Sequence, residues 1–134
     1  MKYILDTNIV SYVIRDYSDV LKQRFKEHEN DLYITEITKA ELLFGAYRCD
    51  GSKQKRLLGK IELILNNITL VSFSGRCIEV FAKLRAEMHN AGKVIDDFDL
   101  MIASVAISNE SVLVTNNTKH FERLSGLLIE NWLE

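Results

Sequence analysis

Tyr3-Ile4-Leu5-Asp6-Thr7-Asn8-Ile9-Val10 is the stretch on which the fold turns. Tyr3-Ile4-Leu5 is a short apolar run without polar alternation, the pattern of a strand buried on both faces. Asp6, Thr7 and Asn8 are residue types that cap helices by accepting a hydrogen bond from a free backbone N–H. The β-branched residues between Asn8 and Ile14 would suit a strand. A helix placed directly after the first strand makes a βα unit, and the rest of the chain repeats that alternation. Leu32-Tyr33-Ile34, Thr69-Leu70-Val71, Val112-Leu113-Val114 and, more weakly, Leu127-Leu128-Ile129 read as further strands. Between them, Leu58, Ile61, Leu65 and Ile68 fall on one helical stripe. Ile78, Phe81, Leu84 and Met88 form a second, and Ile102, Ala103, Ala106 and Ile107 a third. Apolar strands separated by helices predict an α/β fold, a mostly parallel sheet covered on both faces.

The 134 residues suit a single domain spanning 1–134, and 47% hydrophobic with 27% charged residues is ordinary globular composition. There is no proline, repeat or low-complexity tract, and turns are expected at Asp50-Gly51-Ser52, Asn90-Ala91-Gly92 and Ser125-Gly126. The longest apolar runs are far too short to span a bilayer, and Asp6 interrupts any leader-like apolar stretch, so a cytoplasmic protein with no membrane role is expected. Cys49 and Cys77 are isolated, which argues against structural zinc and a disulfide framework. A net charge of −2 excludes nucleic-acid binding through a general basic coat. The charge is uneven, however. Arg48, Lys53, Lys55, Arg56 and Lys60 have only Asp50 among them. This run is either a solvated helix face or a phosphate-contacting edge.

In an open parallel sheet, ligands bind beyond the carboxyl ends of the strands. Asp6-Thr7-Asn8 follows the first strand and Thr115-Asn116-Asn117 follows Val112–Val114, so both polar clusters belong on one sheet edge. Asp6 has a bland reading as a helix cap. Glu41 has one as the partner of Thr38 in a capping box, although it shares a helical face with Ile37, Phe44 and Gly45. Asp99 lies on the stripe of Ile102, Ala103 and Ala106, where a carboxylate is costly unless a cation faces it. Together the three acids come from separate segments and offer hard oxygen donors. Such donors suit Mg²⁺ or Mn²⁺ rather than zinc, and sites of this kind serve phosphodiester chemistry.

The chain resembles the PIN-domain ribonucleases, specifically the VapC toxins of type II toxin–antitoxin pairs. The motifs that carry the resemblance run in order along nearly the whole chain. They are Tyr3–Asn8, Ile37-Thr38-Lys39-Ala40-Glu41-Leu42-Leu43-Phe44-Gly45, Phe98–Ala103, Val114–Phe121 and Glu130–Leu133. The resemblance implies a three-layer α/β/α sandwich and a divalent-metal-dependent ribonuclease. Asp6 and Asp99 would be metal ligands, and Glu41 a further ligand or the group that orients water. Thr7 and Thr115 would support the site by hydrogen bonds, with Asn8 holding the loop. Asn117 stands where many PIN domains carry a fourth acid, which leaves one or two ions open. Asp96-Asp97 replaces the Gly-Pro pair usual in the toxins, and these acids are expected to cap the following helix. The implied reaction is in-line hydrolysis of RNA, with transfer RNA the favoured target, leaving a 5′-phosphate and a 3′-hydroxyl. The implied partners are a VapB-type antitoxin and a second copy of the chain.

His28, His89 and His120 read as surface histidines, with His120 near the mouth of the site, and Trp132 reads as a packing anchor. Two other functions compete with the nuclease. One is an aspartyl-phosphate phosphatase using Asp6 as nucleophile. The other is an inactive PIN-like module whose acidic pocket grips a basic partner.

Overall fold

A computed structural model describes residues 1–134 in full. Five strands, β1 (Tyr3–Leu5), β2 (Leu32–Thr35), β3 (Thr69–Val71), β4 (Val112–Val114) and β5 (Leu128–Glu130), form one sheet in the order β3-β2-β1-β4-β5. Every neighbouring pair is parallel. The helices are α1 (Thr7–Ile14), α2 (Asp19–Glu27), α3 (Glu36–Tyr47), α4 (Gly51–Leu65), α5 (Arg76–Asn90), α6 (Asp97–Ser108) and the short α7 (Thr118–Phe121). The expected α/β/α sandwich is therefore present, with the sheet wholly rather than mostly parallel. The segment after Asn8 is helix, which completes the βα unit.

The pleat divides the core in two. Ile4 and Leu113 point to one face with Leu84, Met88, Ile102 and Ala106, from α5 and α6. Leu5, Ile34 and Val114 point to the other with Ile9, Val10, Leu42 and Ile61, from α1, α3 and α4. Successive strand residues thus serve opposite layers, which is why these strands are apolar throughout. Trp132 is fully buried in the second layer, stacked on His28 at 4.9 Å, and anchors the chain end as expected. No helix is long and apolar enough to cross a membrane.

Two of the anticipated helical faces are displaced. Ile78 is exposed, because the buried stripe of α5 runs through Cys77, Leu84 and Met88, with Phe81 packed against it. In α3 the buried stripe is Thr38, Leu42 and Ala46, while Phe44 is exposed. Glu41 therefore stands at the border of the core rather than on an apolar face. The proposed Thr38–Glu41 capping box is also absent, because the helix begins earlier. Thr35 is its N-cap and its hydroxyl accepts the Thr38 N–H at 3.0 Å.

Strand order reverses beside β1. The chain passes from β1 to β2 on one side, and β4 returns to lie on the other. That reversal opens a crevice between the carboxyl ends of β1 and β4. Leu5 pairs with Val114, so Asp6 and Thr115 are the first residues beyond the sheet on neighbouring strands.

Candidate active site

Three helices begin at this edge. Asp6 is the N-cap of α1, and its Oδ1 accepts the Ile9 N–H at 2.9 Å. Its own N–H is held by the Val114 carbonyl at 3.0 Å, which ties the turn to β4. Glu41 lies in the second turn of α3, which starts where β2 ends, and Asp99 lies in the first turn of α6. The positive ends of α1 and α6 favour negative charge there. Asp6, Thr7, Asn8, Glu41, Asp96 and Asp99 line one pocket of about 250 Å³ that contains no apolar side chain. The three acids singled out in the sequence are thus brought together, with a fourth.

Three of these carboxyls, those of Asp6, Glu41 and Asp99, are held above the usual carboxylate range. Asp6 is only 5% exposed, and its pKa is pushed up to about 6, chiefly by burial. Hydrogen bonds from Thr115 and the Ile9 N–H oppose that rise, while the charges of Asp99 and Glu41 reinforce it. Burial also raises the pKa of Glu41, against a hydrogen bond from Thr7, and Asp99 and Asp96 add to the rise. Asp99 is raised by burial and then by Asp96, with His120 working in the other direction. Clustered carboxylates resist ionising together unless a cation joins them.

The donor set is all oxygen, which fits Mg²⁺ or Mn²⁺. No three of the site's acids and histidines converge into a ready-made ion cage.

The supporting residues are placed unevenly. The Thr7 hydroxyl donates to Glu41 Oε1 at 2.6 Å, and the Thr38 hydroxyl sits 3.1 Å away on its other side. Thr115 is fully buried against Asp6, and its Oγ1 accepts the Asn117 N–H at 3.1 Å. Asn8 is in the first turn of α1 and lines the pocket, but the side chain that anchors this turn is that of Asp6, not Asn8. Asn117 is exposed at the start of α7 and is not among the residues lining the pocket, so it supports the site through its backbone alone.

Two expectations about charged groups are corrected. Asp96 occupies the N-cap position of α6 but makes no side-chain cap hydrogen bond; it faces the acid pocket instead. Asp97 is drawn outward to Arg85, whose Nε lies 2.9 Å from Oδ1. The pair therefore divides its work, one acid adding to the site's negative field and the other pinning α6 to α5. His120 is not a free surface histidine. Its Nε2 lies 3.4 Å from Asp99 Oδ2, and the Nε2 atom is buried. Its position just after β4 puts it on the correct edge, but periodicity gives no indication of which way a four-residue helix turns its side chains.

The basic run separates into two sets. Lys53, Arg56 and Lys60 line a groove that begins at Thr7, Asn8 and Glu41, whereas Arg48 and Lys55 do not. Arg48 instead lies over the Phe44 ring at 5.6 Å. Arg15 of the α1–α2 turn, which the sequence did not single out, joins the groove from its opposite wall.

Comparison with known proteins gives a consistent picture. The family profile of the PIN domain matches residues 3–127. The chain is 35% identical over 134 residues to ribonuclease VapC2 of Rickettsia felis, covering 98% of each protein. It is 33% identical over 132 residues to the tRNA(fMet)-specific endonuclease VapC of Shigella flexneri, again covering 98% of each. Its fold superposes on a chain of the Rickettsia felis VapBC2 complex bound to a promoter DNA fragment, with a TM-score of 0.91 and 34% identity, covering 98% of this chain and 99% of that one.

Proposed function

The chain belongs to the PIN-domain family, and from that membership we propose that it is a ribonuclease toxin of the VapC kind, inhibited by a VapB-type antitoxin. The observation that carries the chemistry is the pocket of Asp6, Glu41, Asp96 and Asp99, free of apolar side chains, at the reversal of strand order. A bound Mg²⁺ or Mn²⁺ supplies nucleophilic water at neutral pH and offsets charge on the scissile phosphate. Asp6 and Asp99 are the residues that would hold the ion, one presented from the N-cap of α1 and the other from the first turn of α6. Glu41 is the further ligand or the base that orients water, and Thr7 fixes it by a 2.6 Å hydrogen bond. Thr115 and the Ile9 N–H keep one geometry for Asp6. Hydrolysis in line leaves a 5′-phosphate and a 3′-hydroxyl.

The favoured substrate is transfer RNA, in keeping with the activity named for the Shigella flexneri relative. An aspartyl-phosphate on Asp6 is disfavoured by the site, because three carboxylates would surround the phosphoryl group. A homodimer is part of the same proposal. Phe44 and Tyr47 are each 63% exposed on α3, and Tyr17 and Val20 are exposed at the start of α2, apolar side chains that the chain's own core leaves uncovered.

The test is cleavage of total transfer RNA by the purified chain with Mg²⁺, with Mn²⁺ and with EDTA, followed by end-mapping of the fragments. Cleavage only with metal, lost in Asp6→Asn and Asp99→Asn, is expected. Full cleavage in EDTA would refute the site, and no cleavage of any RNA with either metal would leave the inactive binding module. Light scattering at micromolar concentration tests the dimer, and a monomer would refute it.

A further inference from the structure

The groove that leaves the acid pocket has a distinctive order of charge. It is about 440 Å³ in volume and shares Thr7, Asn8 and Glu41 with the acid end. Its far part is bordered by Arg15 from one wall and by Lys53, Arg56 and Lys60 from α4. None of these four cations has a carboxylate within salt-bridge distance. Lys53, Arg56 and Lys60 recur at helical spacing along about 10 Å of α4. Lys60 is also steered by its Nζ hydrogen bond to the Ile14 carbonyl at 3.4 Å, across the groove floor. That floor is aliphatic, including Ile14, Leu57 and Ile61, and no aromatic side chain lines the groove.

We propose that this groove, bordered by Arg15, Lys53, Arg56 and Lys60, is the track that holds the RNA strand's phosphates on one side of the scissile bond, and that Arg48 and Lys55 take no part in it. The inference rests on the ribonuclease reading above. An occupant of the whole cleft must present negative charge to the groove and tolerate carboxylates at its end. A phosphodiester strand that reaches the acids with divalent cations does both. A peptide that placed a basic side chain over the acids and continued into the groove would need to reverse its charge within a few residues. Without aromatic side chains the groove has no stacking platform, so it grips backbone and is indifferent to base sequence.

The fold itself supplies an internal control. Lys53 and Arg56 lie in the groove, while Arg48 and Lys55, of equal charge and from the same stretch of chain, lie outside it. In the Asp6→Asn background, which leaves RNA uncut, the affinity for a 20-nucleotide single-stranded RNA is measured across a KCl series with Mg²⁺. Two protein pairs are compared, Lys53→Gln/Arg56→Gln and Arg48→Gln/Lys55→Gln. All four positions are exposed, so both variants fold, and circular dichroism verifies it. The groove variant is expected to lose up to about 1.4 from the slope of log affinity against log salt, at about 0.7 per phosphate contact on a single strand. The outer variant keeps the starting slope. In the cleaving background, Lys53→Gln/Arg56→Gln slows cutting without moving the cut. Equal slopes for the two variants, with RNA still bound and cut by the parent, would overturn the groove and leave the nuclease standing. A parent that neither binds nor cuts RNA would overturn both. A 20-residue poly-Glu peptide that outcompetes the RNA, and loses the same slope in the groove variant, would assign the groove to an acidic protein segment and overturn the proposal.

Discussion

Replacing Asp6 with Asn should make the metal-free protein more stable at neutral pH and no more stable in acid. Asp6 is nearly inaccessible, and its carboxyl titrates at about 6 rather than 3.8. A raised carboxyl pKa means that the native state favours the neutral acid. Its contribution to stability is therefore complete below the unfolded value and is lost as pH rises through about 6. At 1.36 kcal/mol per pKa unit, ionised Asp6 costs the native state about 3 kcal/mol at pH 7.5. Asn avoids that cost and still accepts the Ile9 N–H as N-cap. The opposing hydrogen bond from Thr115 is already contained in that net shift, so the gain is about 3 kcal/mol at pH 7.5. For a chain of this size that is a rise in Tm of about 12 °C. The assay is thermal unfolding by circular dichroism in EDTA at pH 4, 5, 6 and 7.5 for parent and variant. The gain should grow between pH 4 and 6 and then level off. A gain that is independent of pH, or a variant less stable than the parent at pH 7.5, would refute the argument that burial and mutual repulsion strain the site.

Other outcomes follow from the same geometry. Mn²⁺ should raise the parent's Tm more at pH 7.5 than at pH 5, because the carboxyls that receive it are deprotonated only above their raised pKa values; an increment equal at both pH values would remove the ion from this pocket. Asp99→Asn should also raise the metal-free Tm, but less than Asp6→Asn, because Asp99 is more exposed and has His120 beside it; a fall of several degrees would make Asp99 a structural cap. Glu41→Gln should abolish RNA cleavage with little change in Tm, read by gel and by melting on the same preparation. Trp132→Ala should cost about 3–5 kcal/mol in urea unfolding, since a fully buried indole leaves a large cavity; a cost below about 1 kcal/mol would mean that the chain end is not an anchor.

Sequence and structure agree most closely where local chemistry has one outcome. The central strands β1, β2 and β4 were legible because each is a short apolar run that serves two core layers, the edge strands β3 and β5 because they are short apolar runs between helical stretches, and the βα reading of Asn8–Ile14 followed from the alternation around it. Asp6 and Thr115 were placed on one edge by strand direction alone. Less was legible where two residues on a helix compete for one face. Ile78 and Cys77 differ by one position, about 100° around the helix, and only packing against the sheet decides which is buried. In the same way, Thr38 and Glu41 satisfy a local capping rule, but that rule does not decide where α3 begins. The structure uses Thr35 instead, since the carboxyl end of β2 fixes where the helix starts.

By itself, the sequence determined the layered α/β class, the strand positions, and the choice of three acids that the fold brings into one pocket. Those depend on hydrophobic period and residue type, which are local properties. Only the tertiary structure decided that Asp96 faces the site while Asp97 turns to Arg85, that His120 meets Asp99, and that Arg15 shares a groove with Lys53, Arg56 and Lys60. These are meetings between segments distant in the chain, set by the direction in which each helix leaves the sheet. A side chain's charge is written in the sequence, whereas the groups it meets depend on packing geometry, which no local window of sequence contains.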